Sequence, residues 1–209
     1  MQTLLRALCL ALAATSCATD TRLAPSWPGS YLLVAEEGAL AVIEPNAGFV
    51  RDRFEAAADP RAIAVASNGQ YAAVLGADGA LSVVDLFERR TDSRFQLIGA
   101  GPASGLVFGD RRSTLLAAFE GSGEIQVVER DSGSPMATIQ TGATQVRALV
   151  RAPSGRRVAA VSGEPDGMDW IDMDAPTGRG RTQSAQPVDA IAPGSEPGEM
   201  WCHATGENR

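Results

Sequence analysis

The chain has 209 residues, a formal net charge of −7 and a hydrophobic fraction of 44%. That length and apolarity suffice to bury a core and argue against wholesale disorder. Every basic residue is arginine, which excludes Schiff-base chemistry and the lysine of a phosphate-binding loop; without a basic stripe, nucleic acid is excluded as a partner.

Residues 1–16 read as an export signal of the lipoprotein type. Met1–Arg6 carries one positive side chain, and Ala7–Ala14 is apolar but too short to span a bilayer as a helix. Ala14-Thr15-Ser16 then leads to Cys17, as in a bacterial lipobox, where cleavage precedes a cysteine that becomes lipidated. Ala14 stands where Leu is more usual, and an ordinary signal peptide that happens to contain a cysteine is the alternative. Ala18 follows, without the Asp that in some bacteria retains lipoproteins in the inner membrane. The expected location is periplasmic, with the acyl chains of Cys17 tethering the protein to a bacterial membrane, the outer one by preference. Of the other cysteines, Cys9 leaves with the signal and Cys202 stands alone, so no disulfide framework is expected.

Residues 17–29 lack a strand period and read as a tether. From residue 30 to 174 the chain alternates short apolar runs with turn residues. The first unit holds Tyr31–Val34, Ala39–Ile43 and the outer run Val50–Phe54. The second holds Ala62–Ala66, Tyr71–Leu75 and Ala80–Val84, with Arg94–Ile98 as outer strand. Its turns, Asn68-Gly69 and Asp78-Gly79, are suited to tight hairpins. The third runs Gly105–Phe108, Thr114–Phe119, Glu124–Val128 and Met136–Ile139. The fourth runs Val146–Val150, Val158–Ser162 and Met168–Ile171. Gly38, Gly79, Gly123 and Gly167 recur at the same phase, and each is followed by a strand ending in an acid: Glu44, Asp85, Glu129 and Asp172. Four strands in a period of about 40–45 residues predict an all-β chain, a β-propeller of four-stranded antiparallel blades, with about four blades present. Residues 175–209, rich in Pro, Gly, Ser and Gln, are expected to be a partly disordered tail or an incomplete blade, Pro187–Ala192 being a candidate inner strand. Since propellers usually close with more than four blades, this reads as a partial ring; a half-ring dimer and a closed four-blade ring are the alternatives.

The unit SNGQYAAVLGADGALSVVDL resembles the propeller repeat of the YVTN and cytochrome d1 type. It is similar to blades of the haem d1 domain of cytochrome cd1 nitrite reductase and of the NirF-type lipoproteins of haem d1 biosynthesis. GSGEIQVVERDSGSPMATIQTG repeats the pattern, and the resemblance covers Tyr31 to Asp172. WD40 repeats match less well, because no Gly-His and Trp-Asp pair occurs at blade spacing. The resemblance implies a link to haem d1 maturation or nitrite reduction, with haem d1 or a precursor as ligand. In that family histidines help to hold the haem, and Tyr31–Asp172 contains none, so those roles cannot be carried over.

Candidate chemistry is sparse. His203, the one histidine, lies in Trp201-Cys202-His203, and Glu199 stands where a haem-attachment motif needs its first cysteine. Cys202 and His203 therefore read as tail residues, with a metal or redox role as the minor alternative. The four strand-terminal acids fit turns better than a carboxylate ring, since catalysis needs one site and not four equal ones. Tyr31, Tyr71, Phe108, Phe119 and Trp170 read as blade packing, and Arg90, Arg111, Arg112, Arg156 and Arg157 as rim charges. Ser113, Ser122 and Ser154 have no triad around them. The reading is thus a lipid-anchored, non-catalytic binding or accessory module, with no catalytic or metal residue assigned and no cofactor evident in the residues themselves. A periplasmic protein or a tetrapyrrole is the expected partner. The alternatives are a propeller enzyme, a lactonase-like hydrolase or tetrapyrrole oxidoreductase, and an inactive fragment.

Overall fold

The computed structural model describes residues 11–14, 31–46, 48–99, 101–109, 113–152, 156–163, 166–173, 179–183, 188–193 and 200–204. All regular elements among them are strands. The first sheet comprises β1 (Ala11–Ala14), β2 (Tyr31–Glu36), β3 (Ala39–Glu44) and β4 (Phe49–Glu55). The second comprises β5 (Pro60–Val65), β6 (Tyr71–Gly76), β7 (Ala80–Asp85) and β8 (Arg90–Gln96). The third comprises β9 (Ala103–Phe108), β10 (Thr114–Phe119), β11 (Glu124–Glu129) and β12 (Pro135–Gln140). The fourth comprises β13 (Val146–Arg151), β14 (Arg157–Gly163), β15 (Asp166–Asp172) and β16 (Arg179–Gln183). A two-stranded sheet of β17 (Val188–Pro193) and β18 (Met200–Ala204) follows. In every sheet the strands lie in chain order and neighbours are antiparallel, which short hairpin turns allow and helical crossovers would not.

The repeat is visible in the backbone. The carbonyls of Gly38, Gly79 and Gly123 accept hydrogen bonds from Ala56, Leu97 and Thr141, closing the third strand of each sheet against the end of its fourth. The amides of Ala66, Gly109 and Ala152 bond the carbonyls of Tyr71, Thr114 and Arg157 across the first turn of their sheets. Gly167, matched to the other turn glycines by sequence, instead lies inside β15, paired with Ser162.

Neighbouring sheets stack face to face. In β6, Ala72 and Val74 point at the first sheet, where they meet Leu33, Leu40 and Val42; Ala73 and Leu75 point the other way, at Leu106, Leu115 and Phe119 of the third. Leu116, Ile125 and Val127 of the third sheet meet Val158, Ala160 and Ile171 of the fourth. The middle strands are buried on both faces and so read as unbroken apolar runs. Outer strands β4 and β12 are mostly exposed, and β8 is exposed or half-buried along its whole length. Such a strand shows no apolar period, which explains two departures from the sequence reading. β8 begins at Arg90 and not at Arg94, and the fourth sheet runs past residue 174, because the polar segment Arg179–Gln183 pairs with β15. Cys202 and His203 fall on β18, and Cys17, the tether, Arg111, Arg112 and the Ser154-Gly155 turn lie outside the described residues.

Candidate functional site at the inner strands

The strand-terminal acids hold turns. Asp85 Oδ1 accepts the amides of Phe87 and Glu88 at 2.8 and 2.9 Å, and Oδ2 accepts from Gln70 Nε2 at 3.4 Å. Glu129 accepts from the Ser132 hydroxyl across its own turn, and Glu44 pairs with Arg51 at 3.7 Å. Two tyrosines reach from one sheet to the next. Tyr31 Oη donates to the Gly69 carbonyl at 3.1 Å, and the Tyr71 ring lies 3.8 Å beneath the Arg130 guanidinium. Burial raises both phenol pKa values, Arg130 opposing the rise at Tyr71. Ser162 donates to the buried Asp169 at 3.3 Å within the fourth sheet. Arg90 pairs with Asp92 at 2.9 Å. Each of these contacts serves packing or turn closure.

The inner strands differ. In β5 the pairing jumps from Pro60 to Ala62 against consecutive residues of β6, so Arg61 is an extra, bulged residue. In β9 the jump falls at Ser104, and in β13 at Arg147. The β17–β18 pair shifts in the same way at residue 189. One bulge thus recurs at the second position of β5, β9, β13 and β17, at intervals of about 43 residues, whereas β1 pairs with β2 in unbroken register. In β5, β9 and β13 it is tied down alike: the amides of Ala77, Glu120 and Gly163 bond the carbonyls of Asp59, Pro102 and Gln145, two residues before the bulge.

A bulge re-aims side chains. Ala103 and Leu106 stand three apart yet share the core toward the second sheet, and Val146 and Leu149 share the core toward the third. Strict alternation would put each pair on opposite faces. The residue between is released from both sheet-to-sheet cores. Arg61 and Arg147 are exposed, while Ser104 is half-buried with its hydroxyl out of solvent and without a hydrogen-bond partner. Arg61 meets Asp59 at a loose 3.5 Å. Arg147 lies over Gly163, where a Cβ would come within 2.5 Å of its Nε and 2.9 Å of its Cζ. β9 sits against both β5 and β13, and at Gly105 the approach is close enough that a Cβ would meet the Leu149 amide nitrogen at 2.7 Å. None of these three residues stood out as a site in the sequence. The signal that could have found Ser104 and Arg147 is the three-residue apolar spacing around each, Ala103 to Leu106 and Val146 to Leu149.

β5, β9 and β13 carry no histidine, cysteine or methionine, and no group of three or more His, Cys, Asp or Glu among the described residues could hold a metal. These three strands therefore carry none of the His, Cys or Met side chains that usually ligate a haem iron, while Cys202 and His203 lie on β18. The three strands offer cations and a hydroxyl.

No protein-family model matches the chain, and no curated protein matches it either. Among solved structures, a chain of the hydrazine synthase of Kuenenia stuttgartiensis is similar, with a TM-score of 0.64 at 17% identity. The match covers 84% of the present chain and 55% of that one, so the chain spans about half the length of this structural relative. Identity that low carries the fold alone. With the stacked sheets and their recurring ties, it makes the chain a partial β-propeller of four-stranded antiparallel blades.

Proposed function

We propose that the protein is a non-catalytic binding module that presents the bulged ends of its inner strands to a ligand or partner, tethered to the periplasmic face of a bacterial membrane through lipid on Cys17. The observation that carries the binding role is the recurring bulge. A device repeated in three successive blades, which takes one residue of β5, β9 and β13 out of the sheet-to-sheet cores, supports a display surface there. The lipobox-like Ala14-Thr15-Ser16-Cys17 supports the tether. The d1-like repeat supports a tetrapyrrole or a periplasmic protein as the bound species, although the inner strands described would not supply a ligand to iron.

Native mass spectrometry of the full chain, purified after expression in a bacterial host with a periplasm, tests this reading. One sample is mixed with haem d1 and another with periplasmic extract. A non-covalent adduct is expected from one of these sources, with no chemical turnover of the bound species. The adduct is expected to vanish in Arg61→Glu/Arg147→Glu and to persist in Arg53→Glu, on an outer strand. Absence of an adduct from both sources, or turnover of haem d1, would overturn the reading. Cys17→Ala is expected to abolish incorporation of radiolabelled palmitate.

A further inference from the structure

We propose that the end of the sheets opposite the bulges is a lipid-docking face, on which Phe49, Val50, Phe87 and Met136 enter the headgroup layer of the membrane that holds Cys17. This rests on the lipid tether proposed above and names the surface that the tether brings down, so that the bulges point away from the bilayer.

Three observations converge on it. The first is where the exposed apolar residues fall. Among the described residues, the large hydrophobic side chains left exposed are Phe49, Val50, Phe87, Ile98 and Met136. Phe49 and Val50 open β4, Phe87 lies in the turn from β7 to β8, and Met136 is the second residue of β12. Four of the five therefore sit at the end where the third strand of a sheet turns into its fourth. Ile98, two residues past β8, sits at the bulge end, beside the Gly79 turn. Bonds between turns show that successive sheets share the Phe49 end. Tyr31, at the start of β2, reaches the Gly69 carbonyl, the Leu86 amide bonds the Gln70 carbonyl, and Arg130 lies over the Tyr71 ring. Phe49, Val50 and Phe87 are also neighbours across two sheets, since each stands within three residues of the Asp52–Arg89 ion pair. Single exposed hydrophobics are ordinary, but four gathered at one end mark a contact surface.

The second observation is where the tether joins. Tyr31 lies 14 residues after Cys17 and begins β2 at this same end. A chain of that length spans about 20 Å as a coil. A strand as long as β2 is itself about 20 Å high. Setting the bulge end on the bilayer would use the whole span to climb the sheet, whereas setting the Phe49 end down leaves the tether slack. The third observation is charge. The arginines beside these residues are engaged within the protein: Arg51 with Glu44, Arg89 with Asp52 and Arg90 with Asp92. A net charge of −7 gives the chain no general attraction to anionic lipid either. The surface that suits exposed phenylalanine and methionine on these terms is the boundary between headgroups and acyl chains.

The test uses the full chain, lipidated at Cys17, in phosphatidylcholine vesicles. Phe49→Trp, Phe87→Trp, Met136→Trp and Ile98→Trp are made singly, and quenching by lipids brominated along the acyl chain is compared with that of the parent protein. Extra quenching is expected at positions 49, 87 and 136 and none at 98. Equal quenching at all four positions, or at none, overturns the proposal. Shielding of the three from aqueous iodide without quenching by brominated lipid also overturns it, because the face would then meet a second copy or another protein. In the full-length Cys17→Ala chain, which lacks the acyl chains, Phe49→Ser/Phe87→Ser is expected to weaken partition onto the same vesicles about tenfold. That is the effect of exposing roughly one phenylalanine, since each of the two is about half exposed. Ile98→Ser is expected to leave partition unchanged, and an equal effect there would overturn the proposal. Phosphatidylglycerol in the vesicles is expected not to strengthen partition; a requirement for it would overturn the apolar account. The two readings fail separately. Without palmitate on Cys17 the tether is lost, while the partition of the unlipidated chain still decides the face; palmitate without preferential quenching keeps the tether and loses the face.

Discussion

Tyr31 and Arg89 show how single side chains join the sheets. The Tyr31 hydroxyl crosses from β2 to the Gly69 carbonyl in the first turn of the next sheet, and burial raises its pKa above the ordinary 10.0. The folded state therefore holds the phenol proton more tightly than the unfolded chain does. The stability this group contributes is complete below the unfolded pKa and is lost as pH rises through the folded value. Tyr31→Phe is expected to cost about 1 kcal/mol at neutral pH by leaving a carbonyl unpartnered. It is also expected to flatten the fall in urea midpoint on the alkaline side. Ultraviolet titration of the phenol, compared between the two proteins, checks the assignment. On the acid side, Arg94 donates to Glu55 and lowers its pKa, so that contribution is present above the unfolded value and lost as pH falls. Arg94→Gln is expected to reduce the acid slope of the same midpoint curve.

Arg89 has φ of 56°, in the left-handed region, at the turn position where the first and third sheets use Gly48 and Gly133 with φ of 67° and 65°. A side chain there costs about 1 kcal/mol. What offsets it is the ion pair to Asp52 on the neighbouring outer strand, whose other oxygen, Oδ2, is buried and without a partner. In an Asp52→Asn background, Arg89→Gly is expected to stabilise by about 1 kcal/mol. In the native background the lost ion pair cancels most of that gain. Urea denaturation of the four proteins of this cycle measures the coupling; an equal gain in both backgrounds would show that the pair contributes nothing.

At the scale of elements, the strands that were legible are those buried on both faces. Tyr71–Leu75 and Thr114–Phe119 are apolar runs bounded by turns, and the observed β6 and β10 follow them to within a residue. The outer strands were read less well because half-solvated residues such as Thr91, Asp92 and Ser93 satisfy a strand's hydrogen bonds without any apolar pattern. The bulges were not legible residue by residue, since Arg, Ser and Arg share no propensity; the backbone tie, not the side chain, specifies them. A different issue attends β1, which pairs Ala11–Ala14 with Tyr31–Val34 in the segment read as an export leader. Removal of residues 1–16 would take this strand away and leave the β2 edge without it. Hydrogen exchange along Tyr31–Val34 is expected to be faster in a chain beginning at Cys17 than in the full-length chain. Equal rates would mean that β1 does not protect that edge.

For the whole molecule, stability is carried by the interfaces between successive sheets. Phe119 is 1% exposed in the core that joins the second and third. Phe119→Ala is expected to cost about 3–5 kcal/mol, and because each sheet touches only its neighbours, the lost exchange protection is expected to concentrate in those two sheets. The partial ring was legible because the turn glycines at 38, 79 and 123 recur in phase, and the structure shows why: their carbonyls close each sheet against its own last strand. The chemistry of the display face was not, because it depends on which residues three separate strands bring to one level.

The tie two residues before each bulge, Ala77 to Asp59, Glu120 to Pro102 and Gly163 to Gln145, has a consequence for how such a gene can change. Both partners lie within the same repeat, so an in-frame duplication of about 43 codons, begun anywhere in the unit, copies donor and acceptor together and inserts a finished blade. Circumference can then be altered by recombination in one event, while the residue at each bulge drifts independently to suit whatever is bound.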